Sequence, residues 1–450
     1  MSDLPSLHQL ARGVFDSAVA SAIELQSTLE PVSWNASDRN LAIADYRFDL
    51  RKQNTYAIAI GKAANGLAHA VDWKLGDAIT AGVLASPQSN IGDGPTGWQT
   101  FTGGHPLPNG ESLAAAQAAF ALLERAERER AVVIFLISGG GSAVIEWPVN
   151  NRISLEDLRE TNRVLVSCGA TIGEINAVRR RISAVKGGRL AARAPHANKI
   201  TLIVSDVNRG EESIVASGPT LPAPPNAPDA NEVILRYGLS SLLPASVIAT
   251  LNESAVGVPP HLGNHTSHVL VDNQRLIEIA ASKLRVHPYY VEVEEDTNEQ
   301  PIGEGCDLLL KQVAALIDRA RSHQMPAVSI SGGEFSCPVR GNGAGGRNLE
   351  TALRFAIGWD RRYSQSLDRS SSRHIVLLSA GTDGIDGNSS AAGAIVDETT
   401  IARGRALGLD AEAFLANSDA FHYFATLGDA IVIGPTGTNV RDFRFLLADS

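Results

Sequence analysis

Strands that alternate with helices through both halves of the chain, and glycine-rich turns at the strand ends, point to an α/β protein built on parallel sheets. Length adds a second constraint. A chain of 450 residues exceeds one ordinary core, and at roughly 100–200 residues per domain two domains are expected. Two stretches show the pattern best: FLISGGGSAV, Phe135 to Val144, and SISGGEFSCPVRGNGAGGRNLE, Ser329 to Glu350. Each opens as an apolar run and breaks at Ser-Gly-Gly. Glycine permits the positive φ and close backbone approach that such a break needs. Successive N–H groups there form a concave anion site. The turns are therefore read as phosphate cradles, and Arg347 as a cation that meets a phosphate in transfer.

The elements follow in order. Leu10, Val14, Ala18 and Ile23 recur at helical spacing and predict a first amphipathic helix over Leu7 to Leu29. Tyr56 to Ile60 is a strand that turns at Gly61 into GKAANGLAHAV, and Thr80 to Ala85 is another. Pro87 to Gly104 reads as loop, Asn109 to Arg130 as an alanine-rich helix, and Val132 to Ile137 as the strand entering SGGGSA. Ser154 to Cys168 is a helix with Ser154 as N-cap. Glu174 to Ala194 carries Arg179, Arg180, Arg181, Lys186, Arg189 and Arg193. Lys199 to Val204 is a strand leading to SDV. The prolines at 219, 222, 224, 225 and 228 mark a loop or linker, and Leu235 to Leu251 holds a further helical piece. The expected division is an N-terminal domain over 1–245, a linker over 246–264, and a C-terminal domain over 265–450. In the second half, His268 to Val271, Tyr289 to Val293, Ile375 to Leu378 and a last strand, Ala430 to Ile433, alternate with helices. These run over Asn273 to Leu284, Cys306 to Arg321 and Asn348 to Gly358. Arg361 to Arg373 reads as a surface loop.

Apolar content of 44% and charged content of 20% describe a globular chain. A net charge of −10 argues against non-specific nucleic-acid or membrane binding. Cys168, Cys306 and Cys337 lie far apart, which favours neither a zinc framework nor a disulfide scaffold, so a reducing cytoplasm is expected. The first residues lack a charged-then-apolar leader pattern, and no run reaches the ~20 apolar residues of a membrane span.

Each candidate has a plain alternative. Lys62, at a helix start after GKAA's glycine, sits where N–H groups already favour an anion; otherwise it is a solvated lysine. Ser138, Gly139, Gly140, Gly141 and Ser142 bind a phosphate tail or form a tight turn. The arginine-rich segment neutralises anions or forms a solvated helix face, which is the favoured reading, with Lys186 its most site-like member. Asp206, after a strand, holds Mg²⁺, accepts a hydroxyl proton or caps a helix. Asp383 and Asp386 carry the same choice. Arg347 matches phosphate with a planar fork or forms a buried ion pair. A structural role is favoured for His105.

Ten segments in chain order resemble the glycerate 2-kinase family, two-domain kinases also known as hydroxypyruvate reductases. They are GKAA (61–64), GHPLPNG (104–110), SGGGSA (138–143), INAVRRRISAVKGGRLA (175–191), SDV (205–207), ASGPT (216–220), SGGE (331–334), GGRN (345–348), GTDGIDG (381–387) and GPTGTN (434–439). The resemblance implies a doubly wound, mostly parallel N-terminal domain and a smaller α/β C-terminal one, with the site in the cleft between them. It implies transfer of the γ-phosphoryl group of ATP, with Mg²⁺, to the 2-hydroxyl of D-glycerate. Lys62 and Arg347 carry over as the main catalytic pair and Asp206 as the aspartate of SDV. Ser138 to Ser142, Lys186, Gly332, Gly333 and Asn348 are the expected nucleotide contacts, and Asp206 with Asp383 the expected metal contacts. A small hydroxy acid and ATP are the expected partners, and a homodimer is allowed. The chain departs from the family pattern at Asn208 to Gly210, at Leu349, at Asp272-Asn273 and in ASPQSNIGDG after Leu84, which leaves glycerate or a longer hydroxy acid open as acceptor. The reductase alternative needs a dinucleotide fingerprint with an acid about 20 residues on; GNGAGG, Gly341 to Gly346, fits the letters without the acid.

Overall fold

Two apolar runs dictate the first sheet. Thr55–Ile60 and Val132–Ser138 are buried at every position, the pattern of strands covered on both faces. The computed structural model describes residues 7–24, 29–51, 53–87, 93–253, 261–294, 300–363 and 374–449. It divides into two compact units, one of residues 25–271 and one of residues 1–24 with 272–450. The contact division thus falls at 271/272 rather than within 246–264, and the first helix goes with the C-terminal unit.

In the unit of residues 25–271, a small antiparallel sheet of β1 (Val32–Asn35), β2 (Asn40–Ile43) and β3 (Tyr46–Asp49) precedes the main sheet. The main sheet has β4 (Thr55–Ile60), β5 (Ala81–Pro87), β6 (Trp98–Gly103), β7 (Val132–Ser138), β8 (Asn198–Val204) and β9 (His265–Val271), in the order β6-β5-β4-β7-β8-β9. All five pairings are parallel. The strands therefore release their chains at one edge, where ligands of such sheets bind. β6 lies within the segment read as loop. Its alternation is weak because it is a half-exposed edge strand.

Among the described residues of the first 271, the α-helices are α1 (Leu7–Ile23), α2 (Ala64–Leu75), α3 (Gly110–Glu129), α4 (Gly141–Val144), α5 (Leu155–Ser167), α6 (Ile172–Ile182), α7 (Ala230–Arg236) and α8 (Ala245–Asn252). Reciprocal capping boxes start three of them: Asn109 with Ser112, Ser154 with Asp157, and Thr171 with Glu174. The main core joins β4 and β7 to the alanine-rich face of α3. A second core unites α5 to α8 around Leu158, Val178 and Val247.

The C-terminal unit has α9 (Asn273–Leu284), β10 (Tyr290–Val293), α10 (Ile302–His323), β11 (Ala327–Ser331), α11 (Arg347–Tyr363), β12 (His374–Gly381), β13 (Gly393–Asp397), α12 (Thr400–Ala406), α13 (Ala411–Ala416), α14 (Ala420–Leu427), β14 (Ala430–Ile431) and β15 (Asp442–Asp449). Its sheet order is β10-β11-β15-β12-β13-β14. Only β10–β11 is parallel; the other four pairings are antiparallel. The expectation of a parallel sheet in this half is thus corrected to a mixed one. The causes are β15, which runs back between β11 and β12, and β13, which runs antiparallel to both β12 and β14; the last strand is β15, not the expected Ala430 to Ile433. The start of β15 meets the ends of both neighbours: Gly381 pairs with Asp442, and Ser331 with Arg444. α1 packs here through Phe15, whose ring lies 5.7 Å from that of Phe443, and through His8 Nε2, 2.8 Å from Asp397 Oδ2. The expected loop over Arg361 to Arg373 begins within α11, and its remainder lies outside the described residues, as does most of SPQSNIGD.

Candidate functional site

In the N-terminal unit the ends of β4, β7 and β8 bring GKAA, SGGGSA and SDV together. The Lys62 N–H donates to the Gly139 carbonyl at 2.9 Å, and the Ala63 N–H to Ser138 Oγ at 3.0 Å. Ser138 Oγ lies 3.3 Å from the Ile60 carbonyl, so its hydroxyl also ties β7 to β4. A Cβ on Gly139 would lie 1.8 Å from Asp206 Oδ2, so any side chain there would displace that carboxylate. Asp206 is thereby pressed against the glycine turn, and Lys62 and Asp206 flank one loop. Behind that loop, Ser142 Oγ meets Ser217 Oγ at 2.6 Å, and Ser217 donates to Asn176 Oδ1 at 2.7 Å. The loop therefore rests on ASGPT and on the INAVRR helix.

The basic segment is not a solvated face. Arg180 is 7% exposed and Lys186 1%. Arg179 Nε donates to Asn162 at 2.7 Å, Arg181 to the Leu251 carbonyl at 2.9 Å, and Arg193 lies over the ring of Phe120 at 3.4 Å. Arg189 bonds the carbonyls of Arg180 and Ser183. These side chains cross-link α6 to its surroundings. Lys186 Nζ pairs with the buried Glu146 and donates to the Ser142 carbonyl at 2.8 Å. Burial pulls its pKa down and Glu146 opposes that pull. Its charge has a local partner, and it braces SGGGSA from beneath.

In the C-terminal unit, Arg347 opens α11. Its Nε and Nη2 grip Asp442 at 2.7 and 2.9 Å, and Nη2 also reaches Glu334 at 2.8 Å. Burial works against the guanidinium's charge, but Asp442 and Glu334 more than offset it and hold the pKa above its usual range. Among the described residues nothing bonds Nη1, and the side chain is 35% exposed. The fork is fixed on one side and open on the other. Asn348 Nδ2 donates to the same Asp442 at 2.9 Å, and its Oδ1 accepts from Ser379 at 2.8 Å. Asn348 thus orients Arg347's partner. Asp386 accepts the Asn348 and Leu349 N–H groups at the start of α11, at 3.1 and 2.8 Å. Burial, seconded by the charge of Asp442, pushes its carboxyl up to about 7 against those donors. A cavity of 460 Å³ opens beside Arg347, between Phe335, Cys337, Asn388 and Ala420.

Gly332 and Gly333 present their carbonyls to the buried Arg444, whose Nη2 donates to Gly333 at 2.9 Å. The Gly333 N–H is bonded to Asn273 at 3.3 Å. Asn273 in turn donates to the carbonyls of Val440 and Asp442 at 2.6 and 2.9 Å, so it joins this turn to the start of β15. Asp383 Oδ1 accepts from Ile385 N–H at 3.2 Å, within its own turn. Leu349 is fully buried in the core and Asp272 caps α9, so these two departures from the family pattern have local structural uses. GNGAGG does not link strand to helix directly, as a dinucleotide fingerprint does: β11 ends at Ser331 and α11 begins at Arg347.

The residues that sequence reasoning missed are Asp442, Glu334 and Glu146, each a buried or half-buried carboxylate facing a cation. Asp442 carried one signal, its position just after GPTGTN. Among the described residues no group of three or more metal-ligating side chains gathers.

Parallel strands that deliver a lysine, a glycine turn and a carboxylate to one edge, with an arginine fork held at the head of α11, define an α/β protein that handles anionic substrates. Residues 10–252 match the family model described as a domain of unknown function, DUF4147, and residues 327–442 match the MOFRL family. A D-glycerate 2-kinase of Thermotoga maritima is 34% identical over 86% of this chain and 88% of its own length. A glycerate kinase of Homo sapiens is 31% identical over 98% and 93%. The crystal structure of a glycerate kinase from Thermotoga maritima superposes with a TM-score of 0.82 at 30% identity, covering 98% of this chain and 99% of that one. The chain belongs to the glycerate 2-kinase family.

Proposed function

We propose that this protein transfers the γ-phosphoryl group of Mg·ATP to the 2-hydroxyl of D-glycerate, giving 2-phospho-D-glycerate and ADP. The observation that carries the reading is the shared strand edge where Lys62, Gly139 to Gly141 and Asp206 meet, in a chain whose relatives are named glycerate kinases. In phosphoryl transfer the protein mainly positions groups and neutralises charge. Lys62 supplies a cation beside N–H groups of the glycine turn, which hold phosphate oxygens. Asp206 is the carboxylate at hand for the magnesium that arrives with the nucleotide, an ion that usually takes one or two protein carboxylates and leaves its other positions to phosphate and water. Arg347 offers Nη1 to the phosphoryl oxygens while Asp442 and Glu334 hold the rest of its fork. Asn348 fixes Asp442. Gly332 and Gly333 shape the turn that carries Glu334, and Lys186 supports Ser142. Cys168, Cys306 and Cys337 are unpaired, which suits a reducing cytoplasm.

The test is incubation with D-glycerate and Mg·ATP, with the product identified by ³¹P NMR. 2-Phosphoglycerate formed one-for-one with ADP is the expected result. Oxidation of NADH or NADPH by hydroxypyruvate in place of phosphate transfer would overturn the reading.

A further inference from the structure

His105 has no part in the reading above, yet it stands beside Lys62 at the SGGGSA turn. The SGGGSA turn passes through Gly140 in the left-handed region, φ 76°. A Cβ on Gly140 would lie 3.0 Å from Lys62 Cγ and 3.4 Å from His105 Nε2. The bare glycine backbone therefore leaves one gap that both side chains border. His105 is delivered there by the loop between β6 and α3. Gly104, just before it, is held by its N–H to Ser112 Oγ at 3.0 Å, and Ser112 is the capping-box partner of Asn109 at the start of α3. The ring is exposed to solvent, and no described residue bonds either of its nitrogens.

We infer that His105 is the general base of the reaction, taking the proton of the acceptor hydroxyl through Nε2. The inference rests on the kinase reading above. The acceptor O–H bond breaks and its proton goes to Nε2, which requires the tautomer with hydrogen on Nδ1. The freed electron pair forms the new bond to phosphorus. The bond from phosphorus to the β–γ bridging oxygen breaks, and ADP leaves with that pair. The charged group that acts on the ring is Lys62, whose side chain borders it across Gly140. Partial desolvation beside the turn, and then the charge of Lys62, lowers its pKa below the ordinary histidine value, which favours the neutral ring at pH 7. A neutral imidazole is the form that can accept a proton. Lys62 then has two effects: it stabilises transferred charge and keeps its neighbour unprotonated.

The experiment measures kcat and kcat/KM for D-glycerate against pH in the wild type, in His105→Gln, and in His105→Ala with and without added imidazole. Melting curves for each variant report folding. General-base contributions are about 10²–10⁴-fold. The expected result is an acid limb in the wild type with its midpoint below about 6.5, and a loss of at least ~10²-fold in kcat for both variants. The limb should vanish in His105→Gln, KM for ATP should be little changed, and imidazole should partly restore the alanine variant. An active wild type whose His105→Gln variant keeps its rate and its acid limb overturns the inference and leaves the kinase reading intact. A variant that melts early is judged on imidazole rescue: rescue supports the base and its failure counts against it. A wild type that does not phosphorylate D-glycerate at all defeats the kinase reading instead.

Discussion

Replacing Asp442 by asparagine tests how Arg347 is held. The Asp442 side chain is 1% exposed and accepts from Arg347 Nε, Arg347 Nη2 and Asn348 Nδ2 at 2.7, 2.9 and 2.9 Å. Asparagine has the same shape but one acceptor oxygen, and its NH₂ would face donors. Removing one partner of a buried charge pair costs about 3–5 kcal/mol. Here Arg347 is 35% exposed and keeps Glu334, so the low end applies, about 3 kcal/mol. For a domain of 150–250 residues each kcal/mol moves the melting midpoint by about 2–4 °C, so a fall of roughly 6–12 °C is expected. The larger effect falls on turnover. With its fork no longer fixed, Nη1 is misplaced, and a ~1 Å misplacement can cost about 10²-fold in rate. The assays are a thermal melt and coupled ADP release at saturating D-glycerate and Mg·ATP. A variant that melts within ~1 °C of wild type and turns over within about threefold would refute the reasoning that Asp442 sets the fork.

Lys186→Met leaves Glu146, 3% exposed, without its cation. A loss of about 3–5 kcal/mol is expected, much of it recovered when Glu146→Leu is added, as a denaturant titration would show. Gly139→Ala drives a Cβ into Asp206; turnover should fall at least ~10-fold with the melting temperature nearly unchanged. Acid stability should register His265, which lies 2.9 Å from Thr201 Oγ1; burial, then Lys199, lowers its pKa from 6.5 to about 4. The unfolded chain binds the proton first, so this stability is present above pH 6.5 and is lost as pH falls toward 4, by up to about 3 kcal/mol. His265→Gln should flatten that part of the pH–stability curve.

In the N-terminal sheet β4, β5, β7 and β8 were legible because strands covered on both faces read as unbroken apolar runs, and β4 and β7 because each runs into glycine, whereas the exposed edge strand β6 reads as loop and β9 falls within the expected C-terminal domain. Lys62, Gly139 to Gly141 and Asp206 followed from that grammar. The C-terminal sheet was less legible. β15 carries Asp442, Arg444 and Asp449 among its apolar residues, and its buried charges hid a central strand. Asp442 lies 95 residues from Arg347 along the chain, so nothing local pairs them. The basic segment misled for the opposite reason. Helical spacing of arginines looks the same whether the face meets water or, as with Arg179, Arg180 and Arg189, meets carbonyls and the protein interior.

We propose that Lys62 and Arg347 each act in the phosphoryl transfer. This claim is tested most directly by kcat for Lys62→Ala, Arg347→Ala and the double variant, each with a melting curve. Each single change is expected to lower kcat by about 10²–10³-fold with folding retained. The double variant should lose far less than the product of the two, as residues that act as a unit do. If either single variant, folded, keeps kcat within about threefold of wild type, the claim is contradicted.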